Sequence, residues 1–269
     1  MQSTFEPLDI ACIAAAMRGK GVLMRLGIFS DVHANLEALQ AVLQAYQEVG
    51  IDRYVCLGDI VGYGANPNEC CKLVQDLTEF VVMGNHDAAC CGRLCSDWFN
   101  PAARAAVEVH RRMLEAVHIA WLAQLPYRIE MADLLFCHGS PYRQEEFPYI
   151  LDETDIETIA YRVPDLPPVI FVGHTHRATA FAFQERPTLR VWEDPRRVLQ
   201  ILPSHRYVLN VGSVGQPRDG DWRASYAVFD TEARTFRLRR TEYDVDAASQ
   251  KIEDLGLPHS LSERLFLGQ

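Results

Sequence analysis

A surplus of basic residues is the first thing this chain of 269 residues lacks: 36 Asp and Glu outnumber 26 Lys and Arg, for a formal charge of -10. A sequence-independent grip on nucleic acid or on an anionic membrane needs a basic face. Those partners are therefore disfavoured, and a polyanionic substrate would have to be attracted locally, by metal ions. No apolar run approaches the roughly 20 residues of a membrane span. The run Ile10 to Met17 is a poor secretory leader, because it follows Glu6 and Asp9 and carries Arg18 and Lys20 on the wrong side. Internal repeats and low-complexity segments are missing as well. So are paired C-x-x-C units: Cys70-Cys71 and Cys90-Cys91-Cys95 match no zinc pattern. The eight cysteines then read as reduced thiols of a cytoplasmic protein, with Cys56 and Cys137 as core filler.

What is present is ordinary globular usage, 48% apolar and 23% charged, punctuated by five short polar clusters. They are Asp31-Val32-His33, Gly58-Asp59, Gly84-Asn85-His86-Asp87, His138-Gly139 and Gly173-His174-Thr175-His176. Each ends a short apolar run rich in Val, Ile and Phe that reads as a buried strand: Leu26 to Phe29, Tyr54 to Leu57, Phe80 to Met83, Leu134 to Cys137 and Val169 to Val172. In open α/β sheets, ligands bind beyond the carboxyl ends of strands. Seven metal-binding side chains arriving there from five segments therefore mark one candidate site.

Asn35 is placed to cap a helix with apolar positions Leu36, Leu39, Val42, Leu43 and Tyr46, ended by Gly50. Pro67 opens a second helix running to about Thr78. The Ala-rich stretch from Ala102 to Leu125 predicts one long or two shorter helices, interrupted near His118, with His110 and His118 as surface residues. After a helix at Thr154 to Arg162, strands follow at Thr179 to Phe183, Leu189 to Trp192, Arg197 to Leu202, Tyr207 to Val211, Ser225 to Asp230 and Thr235 to Glu242. With few helices between them, they predict a second, largely antiparallel sheet. A final helix around Ala247 to Leu255 closes one face. The pattern predicts an α/β (α+β) fold, a four-layer α-β-β-α sandwich of two mixed sheets, as one domain over residues 24–269. Residues 1–23 look detached, either as an extension upstream of a natural start at Met24 or as a helix, Leu8 to Met17, on the domain surface.

Imidazole, carboxylate and amide oxygen suit divalent ions that activate water. On an extended strand end, Asp31 and His33 would point to one side, as would His174 and His176, because side chains alternate. The single carboxylate Asp59 is the natural bridge between two ions. The ordered series D-x-H, G-D, G-N-H-D/E, H and G-H-x-H is matched throughout from Leu26 to about Asp221, and in this the chain resembles a calcineurin-like metallophosphoesterase. The segment Asn210 to Arg218 further resembles a late loop of prokaryotic small phosphoesterases and diadenosine-tetraphosphatase-like enzymes.

The resemblance implies that Asp31, His33, Asp59 and His176 hold one ion and that Asp59, Asn85, His138 and His174 hold the other. Two ions about 3.5–4 Å apart would generate a hydroxide that attacks phosphorus and would stabilise the charge that develops. His86 is expected to protonate the leaving oxygen or stabilise its charge, with Asp87 orienting its ring. Manganese is the first expectation for the metals, with iron, zinc, nickel or cobalt admitted by the same ligands.

The implied substrate is a small phosphorylated molecule: a nucleotide, dinucleoside polyphosphate or phosphodiester. The alternatives are a protein phosphatase or nuclease, or a non-catalytic metal-binding scaffold. The segment Gly58-Asp59-Ile60-Val61-Gly62-Tyr63-Gly64 lacks the Arg that protein phosphatases of the superfamily carry after the bridging Asp. Arg218 is the first choice to replace that cation, ahead of Arg143 and Arg177. Tyr63 is expected to pack within its Gly-flanked turn, the other reading being a stack on a base or aryl group.

Overall fold

The computed structural model describes residues 24–184, 189–192 and 198–269. Residues 1–23 and Arg197, on which two of the expectations fall, lie outside the described residues. The described residues open with β1 (Arg25–Phe29), α1 (Leu36–Gln47), the parallel partner β2 (Arg53–Cys56) and α2 (Pro67–Leu77). Three helices follow: α3 (Asn85–Cys90), α4 (Pro101–Met113) and α5 (Ala116–Leu122). The antiparallel pair β3 (Arg128–Met131) and β4 (Leu134–Cys137) leads through α6 (Glu153–Arg162) to β5 (Val169–Val172). Then come β6 (Thr179–Phe183), β7 (Leu189–Trp192), β8 (Leu199–Gln200), β9 (Arg206–Asn210), β10 (Ala224–Asp230) and β11 (Thr235–Thr241). Helices α7 (Val245–Asp254) and α8 (His259–Leu267) close the chain. Among the described residues, no helix is long and apolar enough to cross a membrane.

Two mixed sheets stack face to face, ordered β2-β1-β10-β11-β8 and β3-β4-β5-β9-β6-β7. Strand alternation divides their side chains among three apolar layers. Leu26, Ile28, Phe229 and Phe236 of the first sheet meet Phe136, Phe171 and Leu209 of the second between the sheets. Phe29, Cys56 and Val228 face outward to Leu39, Val42 and Ile252 of the helices. On the other side, Ile170 and Val172 pack on Ile156 and Ile159 of α6. Because β5 is buried on both faces, it is continuously apolar. The layers run α-β-β-α, as predicted.

Three expectations change. The later strands do not form a sheet of their own: β10 and β11 return to the first sheet, with β10 antiparallel to β1, and only β9, β6 and β7 join the second. Residues 80–83 make a single bridge to β2 at Val81 rather than a strand. Cys56 N donates to Phe80 O and Val82 N to Cys56 O, but Met83 N turns to Pro126 O and ends the ladder. The Ala-rich helix breaks at Leu114-Glu115, ahead of His118, where Asn68 donates to Met113 O (2.8 Å) and accepts from Glu115 N (2.8 Å).

Phe171 is fully buried, stacked on Phe136 at 5.1 Å and edge-on to Phe229 of the opposite sheet at 5.2 Å. Replacing it with Ala empties the space between the sheets and is expected to cost about 3–5 kcal/mol. Chemical denaturation of Phe171→Ala measures this; a loss well under 1 kcal/mol would contradict the packing described.

Candidate metal centre

The loops after β1, β2, β4 and β5, together with the start of α3, converge at one end of the stacked sheets. They do so by turning, not by extended alternation. Asp31 (φ 54°), His33 (φ 49°), Asp59 (φ 52°), His174 (φ 66°) and His176 (φ 59°) all occupy the left-handed region. Non-glycine residues reach it at of order 1–3 kcal/mol each where the surroundings enforce it. The pairings of Asp31 with His33 and of His174 with His176 stand, but not through strand alternation, since β1 and β5 end before these residues. The enforcement is visible in the backbone: Asp31 N donates to Gly58 O, His33 N to Asp59 O, and Gly173 N to His138 O. Gly84 passes so close to Asp59 that a Cβ there would lie 2.1 Å from Asp59 Oδ1.

Two overlapping donor groups result, both buried: Asp31, His33, Asp59 and His176, and Asp59, His138 and His174. Asp59 belongs to both. Asn85 joins the second, its Oδ1 3.2 Å from His138 Nε2. Three imidazoles donate their Nδ1–H to carbonyls: His33 to Val61 O (3.0 Å), His138 to Leu57 O (2.7 Å) and His176 to Gln216 O (2.6 Å). A neutral ring whose proton sits on Nδ1 presents a bare lone pair at Nε2. Nevertheless His33 Nε2 and His176 Nε2 lie 2.9 Å apart. Asp31 Oδ1 is buried without a hydrogen-bond donor. Acceptors crowded in this way repel unless a cation lies among them, so the donor set fits divalent metal ions.

The titration of the cluster reflects the same crowding. Burial would raise Asp31 and Asp59, but the neighbouring histidines, His176 at Asp31 and His138 at Asp59, hold both below the usual carboxylate range. Burial would lower His138, yet the charge of Asp59 lifts it to about 9. Burial takes His174 and His176 down to about 3.

The family model described as the calcineurin-like phosphoesterase superfamily domain matches residues 24–234. The chain belongs to that superfamily. It is similar to an uncharacterised protein of Methanocaldococcus jannaschii, 39% identical over 248 residues that cover 91% of this chain and 98% of the relative. A solved metallophosphoesterase from Sphaerobacter thermophilus is 41% identical with a TM-score of 0.78, covering 92% of this chain and all of that one. A hypothetical protein from Pyrococcus horikoshii, 19% identical with a TM-score of 0.72 over 91% of this chain and 98% of its own, shares the fold. As a calcineurin-like phosphoesterase, the chain is a phosphoric ester hydrolase, and its family uses divalent metals.

Around the donor groups of this phosphoesterase, His86 is buried, with Nδ1 unpartnered and its ring against His33, Tyr63 and Phe99 at 4.5–4.9 Å. Asp87 does not orient that ring, contrary to expectation. Its carboxylate instead accepts the amides of Asp59 (2.8 Å), Ile60 (2.9 Å), Val61 (3.2 Å) and Gly84 (3.1 Å), so it pins the Asp59 turn and caps its own helix. Burial and the charge of Asp59 push it up to about 6, against those amides. Arg218 lies 5.5 Å over the Tyr63 ring and donates to Gln216 Oε1 (2.7 Å). Arg264 of α8 donates to the same oxygen (3.3 Å). Sequence reading missed Arg264 because it places no helix there. Arg143 is exposed and paired with Glu146, and Arg177 donates to Arg218 O.

His110 and His118 are buried, not surface residues. His118 donates to Gln75 Oε1 (3.0 Å). His110 accepts from Gly62 N (2.9 Å) and donates to Gly64 O (2.9 Å), which fixes the loop that presents Tyr63. Burial drives His110 down to about 4. As pH falls from about 6.5 towards 4, the unfolded chain takes up a proton that folded His110 refuses, so stability falls by up to about 3 kcal/mol; above 6.5 its contribution is complete. Urea unfolding at pH 7 and pH 4.5 should therefore show a flatter pH dependence for His110→Gln than for wild type. Equal slopes would contradict the buried, neutral assignment.

Proposed function

We propose that the protein is a cytoplasmic, two-metal phosphoesterase acting on a small phosphorylated molecule such as a nucleotide. In this reading Asp31, His33, Asp59 and His176 hold one divalent ion, and Asp59, Asn85, His138 and His174 the other, with manganese the first candidate. The observation that carries it is the pair of donor groups sharing Asp59. When bound, the ions supply a water of lowered pKa and positive charge at the phosphoryl oxygens.

The chain's own residues supply the rest. Carbonyl contacts at Nδ1 fix the tautomer of three ligand rings, and Asp87 holds the Asp59 turn by its amides. Burial, opposed by the charge of Asp59, keeps His86 well below the ordinary histidine value. A neutral His86 stabilises charge on the leaving oxygen by donating its one N–H. Arg218, steadied by Gln216 and Tyr63, receives a non-reacting phosphoryl or ribose oxygen. An acidic chain of charge -10 suits a small substrate better than a nucleic acid.

Metal-stripped protein resupplied with manganese should hydrolyse p-nitrophenyl phosphate or its bis ester. Asn85→Ala should lose metal and activity together. His86→Ala should retain two ions by elemental analysis while turnover falls about 10²–10⁴-fold. Two bound ions with no turnover on any phosphate ester would favour the scaffold reading, and failure to bind two ions would overturn the ligand assignment.

Because Asp59 raises His138 to about 9 in the metal-free protein, that ring must give up its proton to act as a ligand. Metal affinity should therefore rise about tenfold per pH unit below pH 9 and level off above it. Calorimetry at pH 7 in buffers of different ionisation enthalpy should show about one proton released, and a release that His138→Asn leaves unchanged would contradict the assignment.

A further inference from the structure

Beside the donor groups lies a cavity of about 610 Å³ that opens past His86, Asn85 and His174. That volume falls within the range of small-molecule sites. Its walls are aromatic: Tyr63, Trp98, Phe99, Phe147 and Tyr149 all line it. Several of these rings touch the candidate centre directly. Tyr149 stacks on His174 at 4.0 Å and 7°, Phe147 meets His138 at 5.9 Å, and Phe99 lies 4.9 Å from His86. Trp98 is 93% exposed and Tyr149 50% exposed, large apolar surfaces left facing the opening.

The charge of the cavity is one-sided. Glu145 and Glu146 line it, and no lysine or arginine does so among the described residues. Arg143 pairs with Glu146 at 3.2 Å, which leaves Glu145 uncompensated. Arg218 is not in the lining itself but lies 5.5 Å over the ring of Tyr63, which is.

We infer that this cavity receives the leaving-group side of the substrate and selects an uncharged aromatic alcohol, an aryl or nucleoside moiety, over a phosphorylated one. The inference rests on the proposed hydrolysis. There, water oxygen bonds to phosphorus, the ester P–O bond breaks with its electron pair on the leaving oxygen, and that oxygen takes a proton to give the alcohol. An aromatic alcohol leaves against ring faces, whereas the outer phosphates of a polyphosphate leaving group would meet Glu145 with no lysine or arginine in the lining. Among the nucleotide classes considered above, esters are thus favoured over dinucleoside polyphosphates.

Trp98 and Glu145 are exposed, so replacing them spares the core. The first measurement is the Kd of 1-naphthol for metal-stripped protein by titration calorimetry. Wild type should bind, and Trp98→Ala should weaken binding about tenfold, as expected for the loss of one stacking face. With manganese, the ratio of kcat/KM for 1-naphthyl phosphate to that for glycerol phosphate should fall by a similar factor in Trp98→Ala. Glu145→Lys should shift selectivity towards diadenosine tetraphosphate relative to the naphthyl ester. Unchanged ratios in both variants, or no naphthol binding by wild type, would overturn the inference while leaving the hydrolase reading intact. Naphthol binding that Trp98→Ala weakens, without turnover of any ester, would uphold the cavity's selectivity and overturn the hydrolase reading instead.

Discussion

The crowding of buried acceptors around Asp59 is the constraint on which the rest of the structure depends. Imidazole nitrogens and carboxylate oxygens that would normally seek donors are crowded against one another among buried side chains. Holding them costs free energy in the metal-free chain, and the surrounding architecture is arranged to bear it. Three carbonyls fix the ring tautomers, and stacked sheets on both sides keep the loops from relaxing outward. The left-handed turns at five residues of the donor groups belong to the same economy, since each is local strain sustained only by a rigid frame.

That frame is built mainly from backbone hydrogen bonds made by polar residues that are not ligands. Asp87 collects four amides and thereby sets where Asp59 stands. His110 reaches from α4 to both sides of Tyr63, whose ring in turn packs against His33 and His86. Asn35 caps α1 while its amide donates to Gly215 O, which ties that helix to the loop carrying Gln216 and Arg218. Each of these side chains works on the backbone of a loop, and the loop positions the chemistry.

The residues of the two donor groups were legible in the sequence because metal ligation restricts residue type and because the five clusters end apolar runs in a fixed order. The layer architecture was legible for a similar reason, since continuous apolar strands such as β5 must be covered on both faces. The means by which ligands converge was not legible. Period-two alternation predicts the same pairings as the left-handed turns do, and only the backbone conformation separates them. The burial of His110 was hidden because its partners, Gly62 and Gly64, lie far away in sequence. Arg264 was hidden with α8, and the return of β10 and β11 to the first sheet could not be read from strands that look alike in either sheet. The role of Asp87 was misassigned because adjacency to His86 suggested a contact that the helix geometry directs elsewhere.

The pairing of β1 with β10 brings Arg25 opposite Asp230, so β1 finds its inner neighbour only once residues 224–230 have been made. Until then β1 and β2 form a two-stranded parallel piece with one long edge unpaired, and such a fragment is marginal in water. Domains dominated by pairings this distant in sequence fold slowly and expose sticky strand edges while they wait. A nascent chain of this protein would therefore complete its first sheet only after β11 has cleared the ribosome. Chaperone protection of the early strands during translation, as well as metal supply, would then govern how much mature protein a cell obtains.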